Sequence, residues 1–344
     1  LACGLVAAWL ACGTAFAEKI VLQPSAPEQY LVAKGDTLWD ISEKFLRDPW
    51  LWPEIWQVNP SIANPHLIYP GDVISLSYDQ NGRPILSLQR GSAGPTVKLS
   101  PQARVVTTDA AIPAIPLDAI QQFLTRAGVI SQEEYDKLPY VVGFQEERLI
   151  AGPGDTAYVR GMTDAPHGDL AIIRIGQAYR NQGANDRDVL GYEVIEAGTA
   201  KFIHGGDPTS TLVTHAFREL LRGDRVAPAT SEPVTHFMPH SAPPQLEGQI
   251  IAVLEGVSRI GQHHVVVLNV GQKQGAEIGH VFAVYQAGRT VQDTFTKQRG
   301  GESVTLPDIR AGVVMVFRTF DKVSYALVTR AEREMRLYDN VKAP

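Results

Sequence analysis

Apolar and polar positions along the chain fall into three regimes. Residues 1–17, LACGLVAAWLACGTAFA, are apolar almost throughout and carry no charge. From Tyr30 to Leu76 the pattern changes period twice. Tyr30-Leu31-Val32-Ala33 reads as a short strand and Gly35-Asp36 as a turn. Leu38, Ile41 and Phe45 then recur at helical spacing. Thr37, with Asp40 three residues on, is a capping-box pattern at the start of that helix, and Asp48-Pro49 ends it. Pro53 suits the first turn of a second helix, PEIWQVN, where its missing N–H costs nothing. Asn59-Pro60 stops it. Leu67-Ile68-Tyr69, Pro70-Gly71-Asp72 and Val73-Ile74-Ser75-Leu76 supply a turn and a closing strand. The predicted order is β-α-α-β.

The third regime is longer. Asn81-Gly82 between short apolar runs predicts a hairpin within 79–95. Pro113 and Pro116 precede a helix predicted over 117–128 (LDAIQQFLTRAG). From Tyr140 onward short Val/Ile/Phe/Tyr runs are cut by Gly-Asp, Gly-Gly and Pro turns, which is β text. Residues 229–245 are rich in Pro, Ser and Thr and read as a linker or long loop. LVTHAFRELLRGDRV (212–226) and LVTRAEREMRLYDNV (327–341) match at eight of fifteen positions without a gap. This repeat predicts two related β modules. The fold class is α+β: a compact unit at 28–78, a linker with hairpin at 79–95, a first β-rich module at 96–245 and a second at 246–344.

Composition adds exclusions. A net charge of −6 gives no basic footprint for nucleic acid. Within 28–78 seven acidic residues face three basic ones, which argues against an anionic partner. The apolar run at 1–17 is shorter than the ~20 residues of a spanning helix and ends in Ala15-Phe16-Ala17, a small-x-small cleavage pattern. It is read as a truncated, cleaved signal peptide, so the protein is expected to be exported and to have no direct membrane span. A buried helix and a lipoprotein signal ending at Cys12 are the alternatives. Cys3 and Cys12 are the only cysteines, so the processed chain is expected to hold neither a disulfide nor a thiol nucleophile.

The run Tyr30-Leu31-Val32-Ala33-Lys34-Gly35-Asp36-Thr37-Leu38-Trp39-Asp40-Ile41, then Asn59-Pro60, then Ile68-Tyr69-Pro70-Gly71-Asp72-Val73-Ile74 resembles a LysM domain. The segment Arg47–Pro53 is longer and more aromatic than in most members. The resemblance implies binding of peptidoglycan or chitin glycan strands. The residues suit that chemistry. A β-α-α-β unit brings the loop after its first strand close to the loop before its last. Gly35 and Asp36 leave backbone polar groups near the surface. Leu38, Ile62 and Leu67 are expected to line a shallow apolar floor, with Thr37 at its rim. An N-acetyl sugar offers an amide for the first and a methyl for the second. Each hydrogen bond is worth only ~0.5–1.5 kcal/mol, so a repeating polymer suits such a site through avidity. By the resemblance Asn59, Ile68 and Tyr69 join the peptidoglycan-binding set. Asp36 suits either a ligand contact or a helix cap. Trp39, Trp50, Trp52 and Trp56 suit either a stacking platform or, the better reading, a core.

LysM domains often accompany wall hydrolases. His263-His264 would point to opposite faces of a strand, and His236 and His240 flank a Met-Pro loop, so neither pair suggests zinc. Glu302-Ser303 lies in turn and strand text rather than on a helix. No nucleophile elbow or phosphate loop is present. No catalytic residue, metal or cofactor is expected.

Four further stretches extend the resemblance over nearly the whole chain: Leu46–Trp50, Asn64–Asp72, Ile112–Ile120 and Ala311–Thr319. With them the chain resembles the type IV pilus secretin-associated family, TsaP. That implies a periplasmic, wall-associated protein whose partner is the outer-membrane secretin. Its body is then similar to the C-terminal part of the flagellar assembly protein T. The alternatives are a hydrolase with an unrecognised active site in 96–344, or a wall-binding adaptor with no pilus role.

Overall fold

A computed structural model describes residues 20–57, 68–89, 111–125, 127–162, 168–183, 188–229, 237–254, 259–293 and 302–344. The first unit holds β1 (Gln29–Leu31), α1 (Leu38–Phe45), a 3-10 turn at Pro49–Leu51, α2 (Trp52–Gln57), β2 (Val73–Tyr78) and β3 (Pro84–Gln89). The capping box forms as its residues predict. The Thr37 hydroxyl accepts from the Asp40 N–H at 3.1 Å, and the Asp40 carboxylate accepts from the Thr37 N–H at 3.3 Å. β1 pairs antiparallel with β2, Tyr30 opposite Ile74. The hairpin in 79–95 contributes more than a linker: β3 pairs with β2 from Val73–Gln89 to Tyr78–Pro84 and completes a three-stranded sheet. Residues 90–95 lie outside the described residues.

The helix expected over 117–128 is shorter. α3 spans Leu117–Thr125, and β4 (Ala127–Ile130) follows, pairing antiparallel with a long strand at 189–204. Gly128 and the β-branched Val129 and Ile130 disfavour helix there and suit a sheet. α4 (Gln132–Lys137) then leads into the β body.

The body is two barrels of one topology. The first uses β5 (Tyr140–Phe144), β6 (Thr156–Arg160), β7 (Leu170–Arg180), β8 (Val189–His204), β9 (Thr209–Ala216) and β10 (Arg225–Pro228). Pairing runs β8-β7-β10-β5-β6-β9 and closes from β9 back to β8, with β4 added outside. The second follows β11 (His240–Ser241) and uses β12 (Gly248–Leu254), β14 (Val265–Leu268), β15 (His280–Gln286), β18 (Ile309–Thr319), β19 (Ser324–Ala331) and β21 (Asn340–Lys342). Its order, β15-β18-β19-β14-β12-β21, closes from β21 back to β15. The remaining strands are ribbons: β13 (Arg259–Ile260) with β20 (Met335–Arg336), and β16 (Thr290–Asp293) with β17 (Glu302–Thr305). Substituting β5, β6, β7, β8, β9 and β10 by β12, β14, β15, β18, β19 and β21 converts one ring into the other. The repeat seen in the sequence covers the last two ring strands of each barrel, which do not pair with each other, and the segment between them. The module boundary read near 245 is met earlier by β11, which already pairs, parallel, with β15 of the second barrel.

Equivalent glycines mark a close strand approach in each barrel. A Cβ on Gly198 would lie 2.4 Å from the His215 carbonyl oxygen and 3.1 Å from Leu220; one on Gly312 would lie 2.2 Å from the Arg330 carbonyl oxygen and 2.3 Å from Met335. Backbone cannot yield cheaply at such distances. Gly198→Ala and Gly312→Ala are each expected to cost about 3 kcal/mol, read as a lower urea midpoint. An unchanged midpoint in either variant would show that the strand pair opens freely there.

The second barrel is buried on both sides. Val314, Val316, Ala326 and Val328 face its interior, while Val313, Met315, Phe317, Tyr325 and Leu327 face outward into the core that also contains α1, the tryptophans and residues 112–124. That explains the unbroken apolar runs of β18 and β19. The first unit is therefore seated on the second barrel. Arg310 lies over the Trp50 ring at 5.9 Å, Arg330 is 3.5 Å from the Glu43 carboxylate, and the turn at Pro49–Leu51 lies against β11. The long aromatic insert is this seat.

Candidate functional site

The two loops expected to meet do so. The first follows β1. The Asp36 N–H donates to the Ala33 carbonyl at 3.3 Å, and the Asp36 carboxylate accepts from the Ala33 N–H at 2.8 Å and from the Tyr30 hydroxyl at 2.9 Å. Burial first, and then that hydrogen bond, push the Tyr30 phenol up. The second precedes β2, where Asp72 makes the same pair of bonds to Tyr69 at 3.1 and 3.0 Å. The loops are stitched together by Val32 N–H to Asp72 O and Gly71 N–H to Val32 O, both 2.9 Å.

This turn is not special to the site. Gly154-Asp155 and Gly223-Asp224 in the first barrel repeat it, with φ of 90° and 91° against 97° at Gly35 and 94° at Gly71. Their carboxylates accept from Gly152 and Leu221 at 2.8 Å. Gly-Asp is thus a way of closing a turn. Asp36 spends its carboxylate on the turn, and the capping carboxylate is Asp40.

Of the nine residues proposed for glycan contact, Gly35 is exposed and Asp36 and Tyr69 are half-buried. Thr37, Leu38 and Ile68 are buried. Asn59, Ile62 and Leu67 lie outside the described residues. What covers the buried ones is residues 112–115, which sequence reasoning did not bring to this site. The N–H groups of Leu38 and Trp39, in the first turn of α1, donate to the carbonyls of Pro113 and Ala114 at 2.9 and 3.0 Å. Across the groove, the Ile112 N–H donates to the Ile68 carbonyl at 2.8 Å. Ile112, Ala114 and Ile115 are themselves buried. No periodicity marks such a contact; the alternating prolines of IPAIP were the available signal.

The tryptophans are core. Trp39, Trp50, Trp52 and Trp56 are each at most 2% exposed, so none offers a face for stacking. The indole N–H groups of Trp39, Trp50 and Trp56 find no acceptor among the described residues.

His240, Glu277 and His280 gather on the β11–β15 pair, with potential ligand atoms within 4.8 Å of one another. The sequence pairs His236 with His240 and misses His280. The His280 Nδ1 accepts from the Glu277 N–H at 3.0 Å, which places its proton on Nε2, the atom a metal would need. Burial, then the neighbouring His240, push its pKa down. With the His240 Nδ1 against the Met238 carbonyl at 3.0 Å and the two rings edge to face at 4.7 Å, the arrangement suits a backbone-bonded ring contact rather than a metal centre. Two open clefts of about 510 and 690 Å3 lie at the junction of the barrels, and both include Glu134. That carboxylate closes the capping box of α4 with Ser131, whose hydrogen bonds hold it below its usual range. It is occupied as a cap and poorly suited to carry a proton. Among the described residues no helix is long and apolar enough to cross a membrane.

Comparison with known proteins agrees with the local geometry. YqbP of Bacillus subtilis (strain 168), an uncharacterized protein, is 42% identical over 62 residues of alignment, a match that covers 15% of this chain and 28% of that protein. The chain therefore spans little more than a quarter of that relative. A family model described as LysM domain matches residues 30–77, the span from β1 to the end of β2. LysM domains bind peptidoglycan and related N-acetylglucosamine glycans and are binding modules rather than catalysts. Residues 30–77 of this chain form a LysM domain.

Proposed function

We propose that the chain is a non-enzymatic anchor of the bacterial periplasm. Its LysM domain holds peptidoglycan glycan strands, and its two-barrel body holds a protein partner, the outer-membrane secretin of a type IV pilus. The LysM match carries the first half. The second rests on the resemblance of Leu46–Trp50, Asn64–Asp72, Ile112–Ile120 and Ala311–Thr319 to the secretin-associated family. A body of two closed barrels fits a scaffold. Its carboxylates at the clefts and turns serve as caps and turn closures, and its histidine cluster is self-satisfied.

Incubated with purified sacculi, the full chain is expected to sediment with the wall without clearing the suspension. Digestion of the glycan beforehand should leave it in the supernatant. A fall in turbidity on adding the protein would instead make it a hydrolase. Loss of the chain from cells should displace the secretin or weaken pilus retraction; unchanged piliation and secretin position would confine its role to the wall.

A further inference from the structure

The groove between α1 and the loop before β2 is filled by the chain's own residues 112–115. We infer that this strap is an intramolecular stand-in for the glycan, so that the LysM domain binds its ligand only when the strap withdraws. The inference rests on the glycan-binding reading of the domain.

The chemistry of the strap matches that of the ligand. An N-acetyl sugar presents an amide and a methyl. The strap presents backbone amides and the alkyl groups of Ile112, Ala114 and Ile115, all buried. Its carbonyls at Pro113 and Ala114 take the two N–H groups that the first turn of α1 leaves without a helical partner. Its Ile112 N–H takes the Ile68 carbonyl on the opposite wall. Both walls are thus bridged by one short segment, as an occupant bridges a cleft. Pro113 and Pro116 fix φ in the strap and remove two donors, which limits the entropy lost when it lies down. It is an occupant whose amide and alkyl contacts a polymer with several N-acetyl groups can replace in kind.

The strap is also tied to the body. It runs directly into α3, and the Arg318 guanidinium of the second barrel donates to the carbonyls of Phe123 and Leu124 at the end of that helix, at 2.9 and 3.2 Å. Occupancy of the groove is thereby linked to the position of α3 on the barrel. Glycan binding at one end and partner binding at the other act on the same element.

The test uses the full chain and the β-1,4-linked tetramer of N-acetylglucosamine. A triple variant, Ile112→Ser, Ala114→Gly and Ile115→Ser, removes the alkyl anchors while keeping the length. Because competition lowers apparent affinity by the fraction of open grooves, the variant is expected to bind the tetramer at least about tenfold more tightly than the parent. Hydrogen exchange on the unaltered chain gives an independent reading should the variant not fold. Saturating tetramer should speed exchange at the Ile112 amide. Equal affinities in folded parent and variant, or binding with no change at Ile112, would overturn the strap and leave the glycan reading standing. No binding by either chain would overturn both.

Discussion

Deleting residues 18–90 is expected to leave the remaining body aggregated or only partly folded. The sequence suggests the opposite, because the hairpin and polar text after the LysM domain read as a separable linker. The structure places the LysM core and the outer face of the second barrel in one apolar cluster. Val313, Met315, Phe317 and Leu327 point outward from β18 and β19 and are at most 1% exposed. Uncovering a fully buried side chain of this size costs about 1.5–3 kcal/mol. A few of them together rival the whole net stability of a domain, about 5–15 kcal/mol. The deletion also removes the acceptor and donors that fix the strap, and the aromatic ring under Arg310. The remaining residues 91–344 should therefore bind a hydrophobic dye and melt broadly or precipitate. A monomeric fragment that melts sharply at the parent temperature would show that the two parts merely touch. The same reasoning shapes genetic tests: a LysM deletion reports on the folding of the body as much as on wall binding.

Local chemistry was legible in the sequence and long-range closure was not. Thr37 and Asp40 predict the cap of α1, and its spacing of Leu38, Ile41 and Phe45 predicts the buried face; both follow from contacts within one turn. Eight matches in fifteen residues predict two related modules, because the repeated stretch carries the inward-facing Val213 and Val328, Leu220 and Met335, and Val226 and Val341. Ring closure from β9 to β8 and from β21 to β15 leaves no such mark, since alternation specifies a face and not a partner. The unbroken run Ala311–Phe317 did announce burial on both faces, though not what lay outside. The aromatic insert departs from most LysM domains, and only the second barrel explains it. The helix predicted over 117–128 ends at Thr125, since Ala127 and Gly128 at the end of that pattern open a strand instead. His280 leaves no mark in the spacing, since His240 reaches it through a parallel pairing that spacing cannot reveal.

The repeat also sets two aspartates in equivalent turns with different surroundings, and they should respond oppositely to the same change. Asp224 and Asp339 are both buried. Each accepts a backbone N–H from three residues back, Leu221 and Arg336 respectively, at 2.8 Å. Asp224 in addition receives a two-pronged bond from Arg174, Nε to Oδ1 at 2.7 Å and Nη2 to Oδ2 at 2.8 Å. That hydrogen bond is the largest influence raising the Arg174 pKa further above its usual value. Asp224→Asn keeps the turn but leaves the guanidinium facing a neutral amide. Breaking a buried pair from one side costs about 3–5 kcal/mol, and Arg174 retains some solvent and the Glu219 carbonyl, so about 3 kcal/mol is expected. Asp339 has no such fork, and burial pushes its carboxyl above the usual range despite the hydrogen bonds that oppose the shift. A carboxyl raised in the native state favours folding below its unfolded pKa, about 3.9. That contribution is lost as pH rises through the higher native value. Asp339→Asn should therefore match the parent in acid and equal or exceed its stability at neutral pH, the gap opening across that window and then staying level. Urea midpoints measured for both variants from acid to neutral pH would read both effects. A destabilised Asp339→Asn at pH 7, or an Asp224→Asn as stable as the parent, would show that the two turns do not differ in the way their charged neighbours dictate.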